Sequence, residues 1–472
     1  MSTVTNALPL PSLYFMPHDG SYWKTDAAGK WIKINESSAT LEIRAAGFAG
    51  KGEGALNEAE RCRLDIQTRQ NVNYAAPLAG YRAGHYRINE NDVLVTESPR
   101  LIVPRAGEWP TLRLIFERLF ADPKHDQLSY FYGWLKCGLE AIQSGRWAPG
   151  QALAMAGPIE SGKSLIQLLI TELFSGRCAD PYLYLTGRTD FNADLFRAEH
   201  LMIEDKAESI DIRARRHFAA SIKGIAVNRD HSCHPKGKPA LTLTPIWRLT
   251  ISLNDESERL LVLPPLDDDV ADKITLLQVQ AGPMPMPTAT PAEKEAFWQR
   301  LTGELPAFAA YLQAWEIPVA LRSSRFGITH FHHPVLVEAL QKSSPEHRLL
   351  DLIDLGLDFR ARVGLNAHAE SGQAWEGTAL ELERELTQQN GRVTREATKL
   401  LSWGNTCGTL LGRLKGTPRL ARVSSRVVNG KTRWTVQPPA TVTPTPERIA
   451  CTVPVDDSEC PRPPAGLVPL AA

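Results

Sequence analysis

Gly157, Pro158, Ile159, Glu160, Ser161, Gly162, Lys163 and Ser164 have the residue types and spacing of a phosphate-binding loop. Two glycines let the backbone curl so that successive N–H groups converge on anionic oxygens, and a helix starting at Lys163 would add its positive end. Lys163 would reach the β- and γ-phosphates, and the Ser164 hydroxyl would ligate magnesium. Glu160 occupies a position where small residues are common. Its side chain can point outward, because the loop amides do the binding. The cofactors this implies are ATP and Mg2+.

Hydrolysis also needs carboxylates at a strand end to carry the metal and polarise water. Glu204 and Asp205 follow the run His200, Leu201, Met202, Ile203 and supply two; which one carries the metal and which acts as base stays open. Asn254 ends a third apolar run, 247–253, where an amide could orient the attacking water.

The elements that must position these groups can be read from the pattern. The apolar run 152–156 suits a buried parallel strand and 165–170 a buried helix, so the loop joins strand to helix. Thr111 is a good N-cap for the first of two amphipathic helices, and a helical stretch at 292–315 follows the linker Pro283, Pro285, Pro287, Pro291. Hairpins are expected at 22–34 and 85–96, the second turning over residues 89–92, with a short helix at 38–46. Helical spacing recurs at 349–357, 378–387 and 397–414, ahead of two strands around Asn429 and Gly430, the preferred two-residue hairpin turn. Helices followed by such a hairpin describe a winged helix. The expected domains are a small accessory α+β module at 1–110, a helical collar at 111–150, a P-loop core at 151–285, a helical linker or lid at 286–344, a winged helix at 345–437 and a disordered Pro- and Thr-rich tail at 438–472.

The 472 residues carry 53 Lys and Arg against 53 Asp and Glu, so any nucleic-acid contact must come from local clusters. Two exist. Seven cations against the single acid Asp230 lie in 213–238, and seven with no acid in 413–433. No apolar run is long enough to span a membrane and the first 20 residues lack a signal-peptide pattern, so the expected location is the cytoplasm, without a membrane partner. The seven scattered cysteines include no C-x-x-C pair, which fits a reducing compartment. His231, Cys233 and His234 lack the fourth ligand and the spacing of a zinc site.

With the loop, the acid pair and Asn254 in this order, the sequence resembles superfamily 3 helicases, most nearly the poxvirus and phage primase-helicase type. The resemblance covers roughly residues 111–435. It implies an α/β fold with an AAA+-like P-loop ATPase core, assembly into a ring, commonly a hexamer, and passage of single-stranded DNA through the central channel. A β-hairpin between the second and third motifs touches DNA in that superfamily; the corresponding interval, 222–238, offers Lys223, Lys236 and Lys238. Duplex DNA would meet Arg413, Lys415, Arg419, Arg422, Arg426, Lys431 and Arg433 on the last helix and wing. Ring ATPases usually complete the site with an arginine from the neighbouring subunit. Here the match departs, because only Lys273 or Arg259 is offered, and lysine cannot form the bidentate fork of arginine. Residues 1–110 hold no acidic metal pair, so the expectation is a helicase part without the primase, working with a separate primase or polymerase.

Three functions compete: a replicative helicase of a phage, plasmid or other mobile element; a regulatory or defence ATPase that binds DNA without unwinding it; and a small-molecule P-loop kinase. Nothing in the sequence suggests the acceptor-substrate lid of a kinase.

Overall fold

The computed structural model describes residues 10–50, 56–204, 212–264, 266, 269–342, 344–357, 374–388, 391–402, 404–415 and 422–439. They fall into two compact units, 1–348 and 349–472.

The first unit opens with an antiparallel sheet of β1 (Tyr14–Met16), β2 (Ser21–Thr25) and β3 (Trp31–Ile34). Against it, Tyr22, Ile43 and Ile66 form a core with α1 (Glu36–Ala45) and α2 (Glu58–Arg69). The hairpin expected at 22–34 is present. Helix α2 was not foreseen from apolar spacing, because the segment is mostly polar; its signal is the reciprocal capping box of Asn57 and Glu60. A second sheet joins β4 (Tyr74–Ala76), β5 (Gly84–Ile88) and β6 (Asn91–Val95). Asn89 and Glu90 both take positive φ and Ile88 pairs with Asn91, so the turn is two residues long and tighter than the 89–92 expected. Tyr74, Val93 and Val95 share one core with the central sheet, across the position near 110 where the sequence suggests a boundary.

The central sheet has five parallel strands: β7 (Ala152–Gly157), β8 (Cys178–Ala179), β9 (His200–Ile203), β12 (Arg248–Asn254) and β13 (Ile274–Gln278), in the order β13-β7-β12-β9-β8. Both faces are covered, as a parallel sheet requires. On β7, Ala152, Ala154 and Ala156 face one core while Leu153 and Met155 face the other. The second core is closed by α3 (Pro110–Leu119), α4 (Gln127–Ser144), α5 (Lys163–Phe174) and α9 (Pro291–Ala314). Glu304 on α9 accepts from Leu112 N at 2.9 Å, satisfying one of the free N–H groups at the start of α3. On the other side lie α6 (Tyr182–Leu185), α7 (Ile212–Val227), the hairpin β10 (His231–Cys233) and β11 (Leu241–Leu243), and α8 (Ser257–Leu260). The pair β14 (Arg322–Ser323) and β15 (Gly327–Ile328) leads to α10 (Pro334–Lys342). No helix among the described residues is long and apolar enough to cross a membrane.

A buried polar stripe runs down the α5 side of β12. Gln167 donates to Thr250 Oγ1 at 2.9 Å and to the Ile203 carbonyl at 3.1 Å, and His200 bridges Thr250 (2.7 Å) and Thr171 (2.6 Å). Burial pushes the His200 pKa down from 6.5 to about 3, so its folded form is neutral. The unfolded chain takes up the proton near 6.5, so this contribution to stability is complete above 6.5 and is lost as pH falls toward 3. The slope is about 1.4 kcal/mol per pH unit. Denaturant midpoints measured from pH 7 to 5 are expected to fall, and His200→Gln is expected to flatten that fall.

The second unit contains most of α11 (Pro345–Gly356), with β16 (Trp375–Gly377), α12 (Ala379–Gln388), α13 (Arg392–Leu400), α14 (Thr406–Lys415), β17 (Val423–Val428) and β18 (Lys431–Val436). The strands form one antiparallel sheet ordered β16-β18-β17, packed on the helices through Trp375, Leu386, Leu411 and Trp434. Asn429 (φ 50) and Gly430 (φ 72) make the two-residue turn. The helix expected at 397–414 is two helices instead. Gly404 and Asn405 interrupt it, with Asn405 in the left-handed region (φ 67), a turn signal hidden by continuous apolar spacing on either side. The tail beyond 439 lies outside the described residues.

Candidate functional site

Strand β7 delivers the 157–164 loop directly into α5, and the loop uses backbone that few residues tolerate. Glu160 (φ 59) and Gly162 (φ 98) are left-handed, and alternation of handedness is how successive N–H groups form an anion-binding concavity. Pro158, Ile159 and Glu160 are exposed at the loop's crest, so the Glu160 carboxylate lies in solvent. Ser161 is buried. The Lys163 ammonium lies across the loop, donating to the carbonyls of Gly157 (2.8 Å) and Pro158 (2.6 Å) and to Ser161 Oγ (3.3 Å). Ser164, in the first turn of α5, is exposed beside it.

Gly157 has a packing reason for its identity. A Cβ there would lie 2.2 Å from the Val279 carbonyl oxygen, at the end of neighbouring β13. Gly157→Ala should therefore prise β13 from β7 and cost about 1–3 kcal/mol, as overpacking does. The check is the denaturant midpoint.

The sheet register carries the other groups to the same edge. Asn254, the last residue of β12, pairs with Gly157, and the next amide, Asp255 N, donates to the Gly157 carbonyl at 3.2 Å. Ile203 pairs with Ile251 on the other side of β12, so the exposed Glu204 leaves β9 at the same end. Loop, asparagine and acid thus come from three adjacent strands in that order. Asp205 lies outside the described residues.

The two finger candidates differ. Lys273 is 5% exposed and its ammonium is held by Asp272, which also binds Arg325 at 3.1 Å. A cation buried and committed in this way is not exposed to a neighbouring subunit. Arg259, on α8 just beyond Asn254, is half-exposed, and one of its terminal nitrogens is buried without a hydrogen-bond partner.

The basic interval 222–238 is not one hairpin. Lys223 lies on α7, with Asp269 at 3.7 Å, because residues 212–227 are helical. Lys236 and Lys238 occupy the turn between β10 and β11, the former exposed and the latter 3.7 Å from Asp19. Asn192 holds that hairpin through His234 N (2.7 Å) and the Ser232 carbonyl (2.9 Å). His231 is spent on the Asn228 carbonyl at 3.0 Å and Cys233 is fully buried.

In the second unit the cation stripe divides. Arg422 forks onto Asp354 (2.9 and 2.5 Å) and Arg426 meets Glu376 (2.9 Å), so both are engaged in ion pairs within the unit. Lys415 donates to Ser425 at 3.0 Å. Lys431 and Arg433 are exposed on β18, Arg413 is half-exposed on α14, and Arg419 lies outside the described residues.

These features define an α/β chain with a parallel five-stranded sheet and a P-loop-like strand–loop–helix at its edge. No protein-family model and no curated protein matches it. Among solved structures it is similar to the C-terminal region of NrS-1 in its A form without ligand. That likeness has 12% identity and a TM-score of 0.50, and it covers 90% of this chain and 96% of that one. A second structure of that region, spanning its residues 305–718, gives the same identity and TM-score over 90% and 95%. The active helicase SCCmec type IV Cch aligns at 10% identity over 90% of this chain and 92% of that one, with a TM-score of 0.37, too loose to carry an argument. The likeness to the NrS-1 region is one of fold.

Proposed function

We propose that this chain is an ATP-dependent DNA helicase with an AAA+-like core, serving replication of a phage, plasmid or other mobile element. The observation that carries the reading is the strand order. It brings the 157–164 loop, Asn254 and Glu204 to one sheet edge, with the asparagine strand between the other two. The same motif order underlies the resemblance to superfamily 3 helicases.

In this reading the loop amides, Lys163 and the start of α5 hold the triphosphate of ATP. Ser164 and Glu204, with Asp205, would hold magnesium, which supplies charge neutralisation of the transferring phosphoryl group when bound. The residues fit: a hydroxyl at a helix start and a carboxylate at a strand end are both exposed at that edge. Asn254, fixed in register with Gly157, orients the attacking water. A ring, commonly a hexamer in the superfamily it resembles, would let the half-exposed Arg259 of one subunit, rather than the buried Lys273, complete the site of the next. Lys236 and Lys238 at the β10–β11 turn would line a channel for single-stranded DNA. The second unit is read as a winged helix that meets duplex DNA through Arg413, Lys431 and Arg433.

Purified chain with ATP and magnesium should unwind a forked duplex, and Lys236→Glu with Lys238→Glu should stop unwinding while leaving basal hydrolysis in place. If the chain hydrolyses ATP on DNA without separating strands, it is instead a DNA-binding regulatory or defence ATPase.

A further inference from the structure

Away from the loop, two segments distant in sequence converge on one carboxylate. Asp122, in the turn between α3 and α4, fixes that turn by accepting from the backbone N of Lys124 (2.7 Å) and His125 (3.1 Å) through Oδ1. Its Oδ2 faces two imidazoles, His125 Nδ1 at 3.1 Å and His333 Nε2 at 2.6 Å. His333 comes from the segment 331–333, which lies along the outer edge of β13: Leu276 N donates to the Phe331 carbonyl (2.7 Å) and His333 N to the Leu276 carbonyl (2.9 Å). The ligand-capable atoms of Asp122, His125 and His333 all lie within 4.8 Å of one another.

We propose that Asp122, His125 and His333 bind a divalent transition-metal ion of the zinc class, clamping the α3–α4 turn to the segment 331–333 that lies along the edge of β13. Two imidazoles and one carboxylate suit zinc-class ions, whereas magnesium and calcium prefer all-oxygen sites. Three protein ligands leave a fourth position for water. Burial supports a built site: the side chains of His333 and Asp122 are 3% and 10% exposed, while His125, at 32%, faces the solvent side from which an ion would enter.

Sequence composition points the same way independently. Three of the chain's 12 histidines fall within four residues, His330, His332 and His333, and short histidine-rich tracts are a compositional mark of metal binding. His332 is spent on the Ile274 carbonyl at 3.0 Å and is not counted as a ligand. When His333 Nε2 ligates, its proton resides on Nδ1, which is buried without a partner. That missing outer contact sets the affinity below that of a four-ligand structural site.

The test is titration of the metal-stripped full chain with Co2+, and with Zn2+ against a chromophoric chelator, in the absence of nucleotide and magnesium. Expected are one ion per chain, cobalt d–d bands without a thiolate charge-transfer band, and at least a tenfold loss of affinity in Asp122→Asn and in His125→Gln. Absence of binding would reduce the trio to a hydrogen-bonded strut and overturn the proposal. So would unchanged affinity in the variants, or a thiolate signature. Should Asp122→Asn fail to fold by circular dichroism, the half-exposed His125→Gln decides alone.

Discussion

Lys163→Ala is expected to cut nucleotide hydrolysis by roughly 10²–10³ and to leave a folded protein. The ammonium is the only side-chain cation in the 157–164 loop, and it is anchored across the loop mouth by two carbonyls and a hydroxyl. Removing a preorganised charge aimed at developing negative charge costs roughly 10²–10³ in rate. The lost hydrogen bonds, each worth about 1 kcal/mol net, should lower the unfolding midpoint only modestly. Phosphate-release kinetics and a melting curve on the same preparation separate the two effects. Retention of wild-type hydrolysis would remove the loop from the chemistry.

The largest effect on stability is expected at Glu199. This carboxylate is fully buried and is forked by Arg177, bonded by Ser175 and bonded by Gly80 N at 2.8 Å. It immediately precedes β9, and its own carbonyl accepts from Arg248 N at 2.9 Å. Glu199→Ala strands a mostly buried guanidinium and two further donors, and breaking a buried pair from one side costs about 3–5 kcal/mol. Glu199→Gln keeps the shape and part of the bonding and should cost less. Because Glu204 leaves the end of the same strand, chemical denaturation and hydrolysis are expected to fall together in Glu199→Ala.

Local chemistry explains what was legible in the sequence. A glycine-rich loop between an apolar strand and an apolar helix is written in consecutive residues, as are the 22–34 hairpin and the Asn429–Gly430 turn. Partnerships between distant residues are not. Nothing in the spacing says that Lys273 is buried against Asp272, that Arg422 belongs to Asp354, or that Asp122 meets His333. Lys223 reads as part of a basic hairpin because its neighbours in sequence are basic, yet the helical period of 212–227 governs its place. The edge strand β13 is only five residues long and directly follows an acidic stretch, so its apolar run is a weak signal in the sequence. Asn254 is the opposite case: its place after the other two motifs predicts that it joins the loop, and parallel register seats it beside Gly157.

The central claim, that the 157–164 loop is a nucleotide site, is tested most directly by equilibrium binding of Mg-ATP to the wild-type chain and to Lys163→Ala by isothermal titration calorimetry. One site per chain is expected, with an affinity on the order of 1 μM to 1 mM, the usual range for enzyme substrates, and loss of that binding in Lys163→Ala. Absence of binding to the wild type at millimolar ATP, or equal binding to both proteins, would contradict it.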